Sequence, residues 1–445
     1  MRTEITVSIA PKADPKKESA KLALHFHGQT EDVLLDVNAA SLLKVSRAVP
    51  DLAQDFLCIA ACIYAADKAV ARSGTEDKWT RDLSIEIPVE HEAVWKQVAG
   101  ELSDTISFLT GDSWVISFRH GEKRLVQKRA RKRRLRFIRP SGTAVCLFSG
   151  GLDSFIGAID WLSEHPSERL LLVGHYDRHV AGPGKDQRDL RDALEQVFPN
   201  RFTLAQTQVG LASGSADTNF RSRSLLFIAL GSYFAELLGA QVPVLIPENG
   251  PIALNFPLTP ARRGSCSTRT VHPHFIESSN GILRRVGLNN PVINLYALKT
   301  KGEMVKECRN QPLLQSGAAT TRSCAKANHR EAWANRSARS CGKCIPCLFR
   351  RAALFANGLD VEPYGDHVEQ LTAWPDLPAD MLAMLAFQRR KHTDREIAAE
   401  LLGNGPLPIN ELHAHVDLVK RMRAEVLAWL RAKGSLYLKK ELRPC

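Results

Sequence analysis

A short run of glycines and serines, Ser149-Gly150-Gly151-Leu152-Asp153-Ser154, has the residue types of a phosphate-binding loop. The apolar residues 144–148 before it predict a buried strand, and residues 155–162 after it predict a helix. Two glycines let the backbone approach a ligand closely, N–H groups at a helix start attract an anion, and the serines add hydroxyl donors. The run is not a Walker A loop, because no Gly-Lys-Ser/Thr follows at the required spacing. A Gly/Ser turn in an ordinary surface loop is the alternative.

Four cysteines with the spacing C-x16-C-x2-C-x2-C predict a metal site: Cys324, Cys341, Cys344 and Cys347. Four thiolates surround a zinc ion and leave no position for water, which is typical of structural zinc. Gly342 and Pro346 supply the turns of a tight knuckle. An iron–sulfur cluster and unmetallated cysteines are the alternatives, and Cys308 is a second candidate for the fourth ligand.

Further polar residues lie where strands are predicted to end or helices to begin. His175 ends a predicted strand, and Arg221 and Arg223 open a long apolar helix, where basic side chains suit a carboxylate or a phosphate. The irregular stretch 257–275 holds donors suited to an anionic or purine-like substrate: Arg262, Arg263, Ser267, Thr268, Arg269 and His272. A structural or solvated position is the alternative for His175 and the arginines of the helix.

The elements that must position these residues change in pattern along the chain. From residue 144 onward, predicted strands alternate with helices, which favours a doubly wound α/β domain with a parallel sheet over residues 141–358. Ligands bind beyond the carboxyl ends of such strands, so the loops 149–154, 175–185, 213–223 and 247–255 matter most. Residues 1–140 predict a separate N-terminal α+β domain, and residues 359–445 predict a helical C-terminal extension.

The formal net charge of +12 comes mostly from one segment, Lys123 to Arg139, which holds ten Lys and Arg and no acidic residue. Such a segment suits nucleic acid or an acidic protein, but aromatic residues are sparse in it, and a solvated linker or strand pair is favoured. No apolar run reaches the ~18 residues of a membrane-spanning helix, and the N-terminus lacks the apolar core of a signal peptide. We therefore expect a cytoplasmic protein without a membrane span.

Two motifs in one chain resemble the 7-cyano-7-deazaguanine synthase (QueC-like) family of PP-loop, N-type ATP pyrophosphatases. Residues 149–154 match SGGxDS, residues 321–350 match the family's cysteine pattern followed by arginine, and residues 219–223 resemble its Asn/Arg segment. The resemblance covers residues 143–358 and implies a PP-loop (HUP-like) fold with ATP, Mg²⁺ and Zn²⁺ as cofactors. The implied ATP-binding residues are Ser149, Gly150, Gly151, Leu152, Asp153, Ser154 and His175. Asp153, Ser154 and Arg221 are the catalytic candidates.

Members of this family adenylate the carboxylate of 7-carboxy-7-deazaguanine and let an amine displace AMP. The candidates for substrate binding in this chain are Arg223, Glu248, Asn249, Arg263, Ser267, Arg269 and His272. The chain departs from the biosynthetic enzymes in its N-terminal unit, its helical extension and its loops after Pro247.

The long form resembles the QueC-like proteins of bacterial anti-phage systems, such as Qat and some CBASS operons. That resemblance implies transfer of the deazaguanine to the N-terminal amine of a partner protein from the same operon. The alternatives are a nitrile-forming synthase that uses ammonia, a tRNA-modifying PP-loop enzyme that holds RNA on the basic segment, and a non-catalytic scaffold.

Overall fold

The computed structural model describes most of the chain, with gaps between its described ranges. Those ranges are 2–10, 19–38, 42, 49–121, 123–126, 143–180, 182–217, 221–262, 269–327, 329–373 and 377–442. Most of the basic segment, together with Arg263 and Ser267, lies outside them. Within the described ranges, none of the helices combines the length and the apolar character needed to cross a bilayer.

Ten strands within the described ranges form one sheet. They are β1 (Thr3–Ala10), β2 (Ser19–Phe26), β3 (Val33–Asn38), β4 (Asp82–Val89), β5 (Ser113–His120), β6 (Ala144–Leu147), β7 (Leu170–Tyr176), β8 (Phe202–Leu211), β9 (Val244–Leu245) and β10 (Val292–Ile293). Buried residues alternate with more exposed ones in β5, whereas β6 is buried throughout. The first pattern suits a strand with one covered face, and the second suits a parallel strand covered on both faces.

The strand order is β10-β9-β6-β7-β8-β3-β2-β1-β4-β5. The pairs from β10 to β8 are parallel, as the sequence predicts, and β1, β4 and β5 are parallel to one another. Only the pairs β1–β2, β2–β3 and β3–β8 are antiparallel among the described strands. The sheet is therefore mostly parallel, and the predicted α/β class is confirmed.

The boundary near residue 140 divides neither the sheet nor the core. Residues 35–37 of β3 pair with residues 209–211 of β8, which joins the two halves edge to edge. One apolar core contains Ile59 from the first half and Ile228 from the second, both fully buried. The first 120 residues are therefore not a separate unit, contrary to the prediction, because β3 covers a strand edge of the second half that would otherwise be unpaired.

The helices with described bounds flank this sheet or form the C-terminal region. They are α1 (Asp51–Ala69), α2 (Glu92–Lys96), α3 (Ala99–Thr110), α4 (Leu152–Glu164), α5 (Pro183–Val197), α6 (Arg223–Leu238), α7 (Gly250–Leu254), α8 (Pro273–Arg285), α9 (Lys301–Glu307), α10 (Gln311–Ala318), α11 (Ile345–Ala356), α12 (Ala379–Arg389), α13 (Asp394–Asn404), α14 (Leu412–Lys433) and α15 (Leu436–Glu441). Helix α1 packs on α6 across the join between the halves.

Two sequence predictions about helices need correction. The apolar pattern of residues 93–109 predicts one helix, but the structure has two, α2 and α3, with a break at Val98, whose φ of −116° and ψ of 7° are not helical. The stretch 257–275 is not irregular to its end, because α8 begins at Pro273 after the His272 cap. Proline suits the first turn of a helix, since it has no N–H to leave unpaired there.

The C-terminal helices surround a second apolar core. Buried residues of α12 and α14, such as Met384 and Trp429, pack there with Leu348 of α11 and Leu254 of α7. The predicted helical extension after residue 359 is thus present, and it is packed on the α/β part rather than apart from it.

Candidate functional site

Residues 149–154 form the turn between β6 and α4 that the sequence predicts. Gly150 has a φ of +85°, a left-handed conformation that favours glycine. The Ser154 hydroxyl donates to the Gly151 carbonyl at 3.0 Å, and the Gly151 N–H donates to the Ser149 hydroxyl at 3.3 Å. No side chain in the described part of the chain caps α4, so the N–H groups of its first turn remain available to an anion.

This turn lies where the strand order changes direction. From β6 the chain adds β7 and β8 on one side, and it then places β9 on the other side of β6. The space beyond the carboxyl ends of β6 and β9 is therefore the topological switch point, where open α/β sheets bind their ligands. Ser149 is exposed at this point, whereas Ser154 is buried at the start of the helix.

Asp153 ties the turn to the segment after β9. Asn249 donates to Asp153 Oδ2 from its backbone N–H at 3.1 Å and from its side-chain amide at 2.7 Å. The Lys301 ammonium donates to the other carboxylate oxygen, and both of these charged side chains are buried. Burial alone would raise the pKa of Asp153, but the Lys301 charge and the hydrogen bonds from neighbouring side chains lower that pKa to about 2.

Glu248 lies beside Asp153 and accepts a hydrogen bond from the same Asn249 side-chain amide. Asn249 Nδ2 donates to Glu248 Oε1 at 3.0 Å. Burial, and then the negative charge of Asp153, raise the pKa of Glu248 well above its ordinary value. The two carboxyl groups therefore divide into an ionised Asp153 and a Glu248 that keeps its proton to higher pH. The structure thus brings the predicted residues Asp153, Glu248 and Asn249 together at the turn.

Lys301 is a residue of this site that sequence reasoning missed. The sequence does show Thr300-x-x-Glu303, a capping box that predicts a helix start, and the Glu303 N–H donates to the Thr300 hydroxyl at 3.1 Å. That signal places Lys301 in the first turn of α9. It carries no information on the contact with Asp153, which lies 148 residues earlier in the chain.

His175 points into the core rather than toward the turn. Its Nε2 bonds to the Val209 carbonyl at 2.9 Å, and its ring packs edge-on against Tyr64 and Phe227, with centroids 5.6 and 5.5 Å away. Burial, and then the nearby Arg223 charge, lower the pKa of His175 to about 3. The predicted ATP contact has no support in these contacts, which make His175 a packing residue between the halves.

Arg221 and Arg223 lie at the join between the halves. The Arg221 guanidinium stacks 3.8 Å from the centroid of the Trp79 ring and donates to the Thr110 carbonyl at 2.6 Å. The Arg223 guanidinium lies 5.3 Å from the Phe227 ring on the same helix. Both contacts of Arg221 go to the first 120 residues, so its position does not support the predicted catalytic role.

A buried ion-pair network beside Arg221 explains why this join is polar. Its members are Asp67, Arg72, Arg81, Asp112 and Asp217. Asp67 also accepts hydrogen bonds from the Ser222 N–H at 2.8 Å and the Ser222 hydroxyl at 2.7 Å, just before α6. Removing one member of such a buried network leaves an uncompensated charge, so the network holds the halves in one arrangement.

The structure places Arg269 and His272 against α3, not against the turn. The Arg269 guanidinium lies 4.4 Å from the Phe108 ring and donates to the Phe108 carbonyl at 2.8 Å. The His272 ring meets the same Phe108 ring edge-on at 5.2 Å. Burial, and then the Arg269 charge, lower the pKa of His272 to about 3. The substrate contacts predicted for Arg263 and Ser267 fall outside the described residues.

The four predicted cysteines come together. The Sγ atoms of Cys324, Cys341, Cys344 and Cys347 all lie within 4.8 Å of one another. The N–H groups of Cys341 and Cys344 point at cysteine sulfurs at 3.3 Å, which stabilises thiolates. Cys324 is thus confirmed as the fourth member, while Cys308 lies elsewhere, with its Sγ 4.0 Å from the Asn310 carbonyl.

This donor set fits a tetrahedral metal ion such as zinc. Zn–S bonds of about 2.3 Å place sulfurs about 3.8 Å apart, and Cys341 Sγ and Cys347 Sγ lie 3.8 Å apart. A zinc ion here would hold the knuckle closed and take no part in chemistry, because four thiolates complete its coordination. The arginines that follow the knuckle pair with carboxylates: Arg350 with Glu362 at 2.6 Å, and Arg351 with Glu369 at 2.6 Å.

Asp153 does not fit a magnesium ligand as it stands. One carboxylate oxygen accepts from Lys301, and the other accepts both N–H groups of Asn249. The arrangement therefore assigns Asp153 to holding the turn in place.

No protein-family model, curated protein or solved structure matches this chain. Its function must therefore be argued from the site.

Proposed function

We propose that this chain is an ATP-dependent, AMP-forming enzyme of the PP-loop type, which activates a carboxylate and transfers it to an amine. The observation that carries the proposal is the uncapped start of α4 behind the Ser149–Ser154 turn, at the switch point of the sheet. A turn of this kind offers N–H and hydroxyl donors to phosphate groups. Asp153 holds this turn in place through its contacts with Asn249 and Lys301.

The proposed reaction has two steps. The substrate carboxylate attacks the α-phosphorus of ATP, and the bond to the bridging oxygen breaks, which releases pyrophosphate and leaves an acyl adenylate. The amine nitrogen then attacks the acyl carbon, AMP leaves, and the amine gives up a proton. Donors fixed in the turn favour the first step because they stabilise the negative charge that develops on pyrophosphate.

The substrate class and the acceptor come from the resemblance to QueC-like proteins. We propose 7-carboxy-7-deazaguanine as the carboxylate and the N-terminal amine of a partner protein, in anti-phage defence, as the acceptor. The cysteine group is the proposed zinc site, with a structural role. Mg²⁺ would enter with the ATP phosphates and help to neutralise them.

The acceptor can be tested by incubating the full chain with ATP, Mg²⁺ and 7-carboxy-7-deazaguanine, with and without the proteins encoded beside its gene. AMP and the mass of each protein are followed. We expect AMP in the complete mixture and a gain in mass on one neighbouring protein. A nitrile product without any gain in mass would favour the synthase alternative, and AMP formation that depends on tRNA would favour the tRNA-modifying enzyme.

A further inference from the structure

Two arginines converge on one buried carboxylate beside the turn. Arg339 Nη2 donates to Asp186 Oδ1 at 2.5 Å, and Arg322 Nε lies 3.2 Å from Asp186 Oδ2. Asp186 lies in the first turn of α5 and is only 2% exposed. The two guanidinium groups therefore share this one buried carboxylate.

Arg322 is fixed directly against the turn by its backbone. Its N–H donates to the Gly150 carbonyl at 2.9 Å. Its own carbonyl would lie 3.3 Å from a Cβ on Gly151, and the Asp186 Cβ would lie 3.4 Å from a Cβ on Gly150. The arginine, the carboxylate and the proposed phosphate loop are therefore immediate neighbours.

The Arg322 guanidinium also covers the start of α5. A Cβ on Gly182, the residue before this helix, would fall 2.2 Å from Arg322 Nη1, so only glycine leaves room for the guanidinium there. The N-terminus of α5 favours negative charge. The guanidinium and the helix start thus present positive potential beside the turn.

Both arginines precede a cysteine of the metal site in the same triplet. These triplets are Arg322-Ser323-Cys324 and Arg339-Ser340-Cys341. Arg339 Nη2 also donates to the Thr320 carbonyl at 2.9 Å, which ties the two cysteine arms together. The cysteine group is therefore the frame that holds both arginines at the turn.

We propose that Arg322 and Arg339 bind the β- and γ-phosphates of ATP, and the pyrophosphate product, at the Ser149–Ser154 turn. This inference rests on the proposed function and adds two positioning residues to it. The planar fork of a guanidinium matches the oxygens of a phosphate group, and both guanidinium groups meet at Asp186 beside the turn. AMP lacks both of these phosphates, so its binding does not depend on the arginines.

Calorimetric titration with pyrophosphate, ATP and AMP tests the proposal on the full chain. We expect Arg322→Gln and Arg339→Gln each to weaken binding of pyrophosphate and ATP about tenfold or more, and to leave AMP binding unchanged. The matched control is Arg191→Gln on α5, where an exposed arginine pairs with Asp192 at 2.6 Å, and it should change none of the three affinities. The Arg339 side chain is 36% exposed, so its variant should fold even if Arg322→Gln does not.

The outcomes separate this inference from the proposed function. Equal affinity of the wild type and both variants for pyrophosphate would overturn the arginine assignment while leaving the ATP-dependent reaction in place. An equal loss for AMP and pyrophosphate would also overturn it, because general damage to the site would then explain the effect. A wild-type protein that binds neither ATP nor pyrophosphate would overturn both proposals. Melting temperature and metal content, measured on every variant, show which proteins are intact.

Discussion

The carboxylate of Asp153 accepts hydrogen bonds from residues 96 and 148 positions further along the chain. A buried charge is tolerated when it is paired and hydrogen-bonded, and Lys301 with Asn249 meets both conditions here. At the residue scale the site depends on the Asp153 carboxylate. It joins the turn to Asn249 in the segment after β9 and to Lys301 at the start of α9. Two predictions belong at this scale.

Replacing Lys301 by methionine should destabilise the fold strongly. The substitution keeps the length of the side chain but leaves Asp153 buried without its cation, which typically costs about 3–5 kcal/mol. Chemical denaturation measures the free energy of unfolding. Lys299→Met is the matched control, because Lys299 pairs with Glu307 in an exposed position and should lose less than about 1 kcal/mol. Equal losses in the two variants would contradict the role given to Lys301.

The buried His175 should make stability depend on pH. The folded pKa is about 3, below the ordinary value of 6.5. The unfolded chain therefore takes up a proton first, and stability is lost as the pH falls from 6.5 toward 3. His175→Phe keeps a ring against Tyr64 and Phe227 but cannot titrate.

Unfolding free energies measured between pH 6 and pH 4 check this expectation. The slope should be shallower in His175→Phe by up to about 1.4 kcal/mol per pH unit, the limit for one titrating group. It should not vanish, since the pKa of His272 is lowered in the same way. An unchanged slope would mean that His175 is accessible to protons in the folded protein.

At the scale of elements, the cysteine knuckle links the proposed metal site to the Ser149–Ser154 turn. Cys344 is the residue just before α11 and Cys347 lies in its first turn, while the segment before Cys324 contacts Gly150 through the backbone of Arg322. A short knuckle buries little apolar surface, so its order would depend on a metal bound by the four cysteines. Loss of the metal should therefore loosen the segment beside the turn.

Cys344→Ser should lose the metal and lower the melting temperature, because a hydroxyl is a poor ligand for zinc. Cys308→Ser is the control, since the Cys308 thiol lies outside the cysteine group and should leave the metal in place. Elemental analysis should give about one zinc per wild-type chain. Iron with visible absorption would identify a cluster instead, and a full metal content in Cys344→Ser would refute the assignment.

Many features at the scale of elements could be predicted from the sequence. Local signals are sufficient for the turn at 149–154, because the buried strand, the glycines and the helix are adjacent in the chain. They are sufficient for the cysteines too, because ligand spacing is itself the signal. The pairing of β3 with β8 could not be predicted from the local sequence, because a strand pattern shows which face is buried but not which strand lies beside it.

The same limit applies to the predicted ligand contacts that the structure does not support. The sequence predicts ligand contacts for His175 and Arg221 because polar residues at strand and helix ends often bind ligands. Their partners, Tyr64 and Trp79, come from the first half of the chain, so their burial follows only from the tertiary arrangement. Lys301 and the two arginines at Asp186 were missed for the same reason.

At the scale of the whole molecule, the sheet and one of the apolar cores cross the predicted domain boundary. Residues 1–126 and 143–445, expressed separately, should therefore be insoluble or partly unfolded, because each would expose the apolar surface that the other covers. Co-expression of the two fragments should recover a soluble complex. Circular dichroism and size-exclusion chromatography measure both results, and two stable, non-associating fragments would contradict the core shared by the two halves.

The central claim is tested most directly by identifying what this protein makes from ATP. Phosphorus NMR should show AMP and pyrophosphate in equal amounts when 7-carboxy-7-deazaguanine and an amine acceptor are present. Formation of both should fall sharply in Ser154→Ala but not in Ser163→Ala, whose hydroxyl only bonds to the Ile159 carbonyl of the same helix at 2.8 Å. Release of ADP and phosphate, or no AMP with any acceptor, would contradict the account.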